Sequence, residues 1–291
     1  MSTTVTPPPP APPGADQPGA SQPGPPAAPG SGASRVIAIL VIAVGALVLL
    51  GTIVSSAFGT WAAASVHTTT RTLEVDGVTD LDVQVDAGGF RVEFDDVDEA
   101  ELDVRSAWGI DRWTLEREGD ALVVASPRGW LNGWFGGWFG GNGSAVLRLP
   151  ESLEGMDADL GLAAGELVVD GSFGDLDLEV GAGRAEVSGA ATSLNADLSA
   201  GHAEVELDDV RQVTTQVSAG SLEAVFTGRA PDEIIADVSA GSLRLTVPAG
   251  EYDISSEVSA GDFRDGIGST EGAQSTIRVT VSAGEAVLRA H

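Results

Sequence analysis

One corner phrase, repeated through the C-terminal half, constrains this chain more than any other feature. An Ala-Gly pair, usually Ser-Ala-Gly, recurs at Gly165, Gly183, Gly201, Gly220, Gly241, Gly261 and Gly284, at intervals of 18, 18, 19, 21, 20 and 23 residues. The residue three before each Gly is aliphatic: Leu162, Val180, Leu198, Val217, Val238, Val258, Val281. The residue four before is mostly polar, as in Glu179, Asp197, Gln216, Asp237 and Glu257. Apolar and polar positions alternate with period two on both sides of the corner, the pattern of half-buried strands. The frequent Gly and the many Val and Thr exclude helix.

A repeat near 20 residues with two short strands predicts a parallel, right-handed β-solenoid with coils of about 18–23 residues. No coil can bury its own apolar face, so stacked neighbours share one core. An antiparallel sandwich would not need one identical corner per repeat. At the corner, Gly supplies a positive φ, as expected at Gly220. Ala beside it fills a narrow interior bend, and Ser199, Ser218, Ser239, Ser259 and Ser282 form a hydroxyl ladder.

Charge divides the chain. It carries 43 acids against 15 bases, all Arg, and only Asp16 and Arg35 are charged side chains before residue 66. A net −28 held in the C-terminal body excludes nucleic acid as a partner, because phosphate would be repelled. With no Cys, disulfides and thiolate chemistry are excluded. Residues 1–34 hold 11 of the 15 prolines and almost no large apolar side chain, so a disordered tail is expected there. Residues 36–58 carry no charge and are long enough to cross a bilayer. A cleaved signal peptide is the other reading, but the apolar run is too long and starts too late. Arg35 on the near side places the tail in the cytoplasm and the body outside. The expected domains are a cytoplasmic tail over 1–34, a transmembrane helix over 35–60, a tether over 61–71 and an extracytoplasmic solenoid over 72–291.

An early copy of the corner phrase surrounds Gly88, and the next comes only at Gly165, so an irregular insertion is expected over 95–160. Within it, Glu118-Gly119-Asp120 between two alternating runs signals a hairpin able to cover the first coil's open edge. Residues 144–150 read as a strand stopped by Pro150. This succession of hairpin, strand ending in Leu149-Pro150 and repeated Val-Ser-Ala-Gly corners resembles the bacterial putative-adhesin family, also called the Toastrack domain. The resemblance covers about residues 72–291. It implies a membrane-anchored β-solenoid linked to adhesion or envelope-stress sensing, with no catalytic motif to carry over.

The chemistry-bearing residues point away from catalysis. His67, His202 and His291 lie far apart and in no ligand spacing, and no nucleophile elbow, P-loop or EF-hand pattern is present. The expected function is therefore a non-enzymatic envelope-exposed module for binding, adhesion or stress sensing, with a membrane or envelope protein as partner. The alternative is a glycan-active enzyme on a parallel β-helix. No cofactor is expected. Stacking would set the column Glu179, Asp197, Gln216, Asp237 and Glu257 about 4.8 Å apart, and its four carboxylates, Glu179, Asp197, Asp237 and Glu257, give either a solvated acidic face or a weak site for divalent cations. Finally, Trp130, Trp134, Phe135, Trp138 and Phe139 lie among glycines in a run without strand or helix period. They form either a contact loop that meets lipid headgroups or a partner, or a plug at the solenoid's N-terminal end.

Overall fold

A computed structural model of the chain describes residues 66–107, 113–126 and 143–291. The expected tail and span, and the aromatic run from Trp130 to Phe139, lie outside the described residues. Among those described, no helix is long and apolar enough to cross a membrane.

The period-two alternation becomes strand wherever it occurs. Strands β1 (Val66–Leu73), β2 (Asp80–Val85), β3 (Gly89–Asp95) and β4 (Ala100–Ala107) come first. A hairpin of β5 (Thr114–Glu118) and β6 (Ala121–Ala125) follows, then β7 (Ser144–Pro150) and β8 (Asp157–Leu162). Two long strands, β9 (Glu166–Val180) and β10 (Arg184–Leu198), precede β11 (His202–Asp208), β12 (Gln212–Val217) and β13 (Ser221–Thr227). The chain then forms β14 (Glu233–Val238), β15 (Ser242–Val247), β16 (Tyr252–Val258) and β17 (Asp262–Asp265). It ends with β18 (Ser275–Val281) and β19 (Glu285–Ala290). Strand β12 shows the rule: Val213, Thr215 and Val217 are buried, whereas Gln212, Thr214 and Gln216 are exposed.

The strands stack as two rows, parallel throughout the coils, so the solenoid expectation holds and the antiparallel sandwich does not. The first row runs β6, β2, β8, the second half of β9, the second half of β10, β12, β14, β18, β16. The second runs β7, β3, the first half of β9, the first half of β10, β11, β13, β15, β19, β17. Each Ser-Ala-Gly corner carries the chain from the first row to the second. Inward side chains of both rows form one apolar core. The aliphatic residue three before the corner Gly is buried in Leu162, Val180, Leu198, Val217, Val238 and Val281.

The corner works differently from the expectation. Gly220 does not have a positive φ; of the repeat glycines only Gly88 (φ 112°) and Gly165 (φ 113°) do. What Gly220 supplies is absence: a Cβ there would collide with the carbonyl oxygen of Gly201 on the coil below. The Ala before each Gly is not interior either, since Ala200, Ala219, Ala240 and Ala283 are exposed. Nor do the serines pass hydroxyl bonds along the corner. The main chain does this instead, with Ala219 N donating to Ser199 O at 2.9 Å and Ala240 N to Ser218 O at 2.8 Å. Among the described residues the stacked hydroxyl pair lies just past the corner, where Ser242 Oγ donates to Ser221 Oγ at 3.0 Å.

Coil order in space departs from coil order in sequence at both ends. Coil β18–β19 is inserted between β14–β15 and β16–β17, so Gly284 packs on Gly241 and Gly261 on Gly284. At the other end, β2–β3 lies between β6–β7 and β8–β9. Residues read as an irregular insertion thus include a coil in register: Ser126 N donates to Gln84 O at 2.9 Å, and Gly89 N to Gly143 O at 3.3 Å. As expected, the antiparallel β5–β6 hairpin covers the first row beside this coil, while β4 and then β1 extend the second row, also antiparallel. Trp113, buried, stacks on Phe90 with centroids 5.1 Å apart and closes the core at this end.

Candidate functional site

Outward positions of β2, β8 and β9 in the first row stack like charges in register. The register aligns Asp82 with Asp159 and Asp159 with Asp177, while Asp80 faces Asp157 in the adjoining column. Asp175 continues that column, its backbone N–H donating to Asp157 Oδ1 at 2.7 Å. Six aspartates therefore occupy β2, β8 and β9 in two rows of three. The sequence did carry their signal, an Asp-x-Asp at 80–82, 157–159 and 175–177. Its distance from the corner phrase hid it. Asp159 sits at the middle, and partial burial first, then the charges of Asp82, Asp177 and Glu179, hold its carboxyl above the usual range. The edge of the cluster is relieved by neutral donors. Asn195 Nδ2 donates to Asp177 Oδ1 at 2.7 Å and Ser193 Oγ to Asp175 Oδ1 at 2.6 Å.

The column expected from the corner spacing is only partly assembled. Glu179 and Asp197 are direct neighbours, followed by Gln216 and Asp237. The inserted coil then places Thr280 between Asp237 and Glu257. Among the described residues no three acids or histidines converge as a metal set would.

Several acids of the second row are paired with arginine instead. Arg184 Nη1 meets Glu204 Oε1 at 3.2 Å, and Arg244 Nη1 meets Glu223 Oε2 at 2.9 Å. Arg264 pairs likewise with Glu285. His202, left isolated by the sequence, places Nε2 at 2.8 Å from Glu204 Oε1. That hydrogen bond, and then Arg184, lower the Glu204 carboxyl below its ordinary value. Between these pairs runs a shallow groove of about 310 Å³, lined by Glu186, Ser188, Glu204, Glu206, Glu223 and Val225. Toward the N-terminal end a network links four strands. Thr70 Oγ1 donates to Asp103 Oδ1 at 2.5 Å, and Arg148 donates to Asp103 at 2.7 Å and to Glu93 at 3.0 Å. The Thr70 and Arg148 bonds hold the Asp103 carboxyl below its usual range. No sequence spacing announces this group, because its members come from β1, β3, β4 and β7.

Corner glycines Gly183, Gly201, Gly220, Gly241, Gly261 and Gly284 line one side of the stack, each tight against the next coil. The contact-loop residues Trp130, Trp134, Phe135, Trp138 and Phe139 lie outside the described residues, between Ser126 and Gly143.

No family model matches the chain, and no curated protein matches it. Solved structures do. A putative adhesin from Bacteroides fragilis is 11% identical, with 77% of this chain and 97% of that one covered and a TM-score of 0.39. A putative cell adhesion protein from Clostridium sporogenes is also 11% identical, covering 78% of this chain and 100% of that one, with a TM-score of 0.34. For a putative adhesin from Parabacteroides merdae the identity is 11%, the coverages 77% and 96%, and the TM-score 0.30.

Proposed function

We propose that the chain is a non-enzymatic binding module of the cell envelope, acting in adhesion or sensing. A single apolar span over residues 36–58 would hold it at the membrane, with the Pro-rich tail inside and the solenoid outside. The observation that carries this reading is the fixed aspartate grid on β2, β8 and β9. A parallel ladder holds outward side chains at a constant rise of about 4.8 Å, so a partner meets a stiff charge array and orders little protein on binding. Such an array suits a cationic surface or basic protein segment, and it steers encounter over long range. The aromatic run at Trp134 and Trp138 would add apolar contact with lipid or with a membrane partner.

The test uses cells displaying the full-length chain and measures their retention on positively charged and uncharged surfaces. Retention should require the displayed chain, weaken as salt rises, and fall in Asp82→Asn/Asp159→Asn/Asp177→Asn. Equal retention with and without the chain would overturn the reading.

A further inference from the structure

The ladders leave four strand edges open among the described residues: β5 and β16 in the first row, β1 and β17 in the second. Three of them carry acids. Strand β5 has Glu116 and Glu118, β16 has Asp253 and Glu257, and β17 has Asp262 and Asp265. The start of β16 is also covered, because Thr270 N donates to Tyr252 O at 2.8 Å and Ile254 N to Ser269 Oγ at 2.9 Å. Charge and cover of this kind keep strand edges from pairing with other chains.

Strand β1 carries one charged side chain, Arg71, and no acid. Its sequence Val-His-Thr-Thr-Thr-Arg-Thr-Leu contains no acid, no Pro and no Lys, and residues 68–72 are all exposed. The body carries 42 of the chain's 43 acids, so a second copy is repelled over most of its surface. The adjoining strand sets two acids opposite this edge, Glu101 across from Thr72 and Asp103 across from Thr70, and Asp103 is already held by Thr70 and Arg148.

The strand is also complementary to itself. Its register with β4 puts Thr68, Thr70 and Thr72 on the face of Arg105, Asp103 and Glu101, and Thr69 and Arg71 on the face of Val104 and Leu102. An antiparallel pair of identical edges obeys a two-fold axis normal to the sheet, which sets a residue opposite itself. With the axis at Thr70, Thr68 faces the second copy's Thr72, so one face becomes an unbroken threonine ladder. On the other face Arg71 lies opposite Thr69, and the two arginines stay apart. Cross-strand threonine pairs are favourable, and no like charges meet.

We propose that β1 is a self-association edge, and that two copies join β1 to β1 antiparallel about a two-fold axis at Thr70. The second row of one solenoid then continues into that of the other. The contact is mainly main-chain hydrogen bonding with little apolar burial, so it is weak and reversible in dilute solution. It tightens when copies are concentrated on one surface.

The chain has no Cys, so single cysteines report proximity directly. In the full-length protein under mild oxidation, Thr70→Cys should form a disulfide-linked dimer. A mixture of Thr68→Cys and Thr72→Cys chains should cross-link faster than either variant alone. Ser255→Cys, at the opposite end, supplies the collisional background. Sedimentation of the uncross-linked protein provides the second measurement. Thr68→Asp/Thr72→Asp sets like charges opposite each other twice and should weaken association by roughly three- to tenfold. Thr68→Asp/Thr72→Arg sets opposite charges there and should restore it, with thermal melts confirming that both variants fold. Cross-linking at Thr70→Cys no faster than at Ser255→Cys would overturn the proposal. So would association unchanged in Thr68→Asp/Thr72→Asp, which would assign it to another part of the chain.

Discussion

The backbone amide of Glu285 donates to the carbonyl of Gly241 at 3.0 Å. That one bond places the C-terminal coil directly on β14–β15, and it leaves the preceding coil, β16–β17, on the outside. The same repeat position records the consequence: Val281 is buried, whereas Val258 is 42% exposed. The last strands of the chain are thus flanked on both sides.

Deletions should expose this arrangement. Removing residues 275–291 takes out an inner coil, orphans β16–β17 and opens the core at Val238 and Leu245. Replacing residues 248–274 with a five-residue connection like that over 228–232 removes only the outermost coil. The second protein should melt cooperatively and near the parent, and the first should melt far lower or fail to fold. Circular dichroism melts of the two check this. Equal losses would contradict the inserted order.

Close approach at the corner predicts a steep size dependence. Gly220→Ala drives a Cβ into the Gly201 carbonyl and should cost about 1–3 kcal/mol by overpacking. Gln216→Ser, on the exposed face of the same coil, should cost less than about 0.5 kcal/mol. Denaturant unfolding of both variants measures the difference. Similar midpoints would show that the corners have room to spare.

Asp159 and Asp103 should respond to pH in opposite directions. The Asp159 carboxyl is raised in the folded state, by burial first and then by neighbouring acids, so its favourable contribution exists at low pH and is lost as pH rises through its folded value. Asp159→Asn should therefore stabilise the protein near neutral pH and do little in acid. Asp103 is lowered, by Thr70 first and then Arg148, so its contribution exists near neutral pH and disappears as pH falls through its folded value. Asp103→Asn should destabilise near neutral pH and match the parent in acid. Asp159 is exposed and Asp103 partly exposed, which keeps the effects small. Melting temperatures across pH 2.5–7 (about the carboxylate titration range) test both signs.

Thr215 is buried to 1% exposure, and its hydroxyl has no hydrogen-bond partner among the described residues. Its neighbours along the ladder are Ala196 and Ala236, which offer no side-chain acceptor. A buried unpaired hydroxyl costs about 1–3 kcal/mol, and Val has nearly the same shape. Thr215→Val should raise stability by about 1 kcal/mol in denaturant unfolding. A loss of stability would mean that an internal water or main-chain acceptor satisfies the hydroxyl.

Much of this was written locally. Period-two alternation is a property of neighbouring residues, so the strands, their inward faces and the β5–β6 hairpin could be read along the chain. The Ala-Gly phrase likewise announced a coil with one fixed corner, because only a residue without Cβ lets the carbonyl oxygen of the neighbouring coil's glycine approach so closely. What the phrase could not say was why each Gly was needed. Positive φ and close approach select the same residue, and only the position of Gly201 above or below Gly220 separates them.

Order along the stack was decided by tertiary structure alone. Every coil presents the same pair of strand edges, so local sequence does not specify whether Gly284 rests on Gly261 or on Gly241. That choice is made by which inward side chains fill the shared core. Val281, Ile277 and Leu288 can be buried from both sides, whereas Ser256 and Asp265 tolerate the outside. The aspartate grid followed the same division. Asp-x-Asp is visible three times in the sequence, but its meeting on one face required β2 to pair with β8 across 77 residues, as Asp80 does with Asp157. The sequence by itself determined the rungs, and the packing of one rung on another determined the ladder.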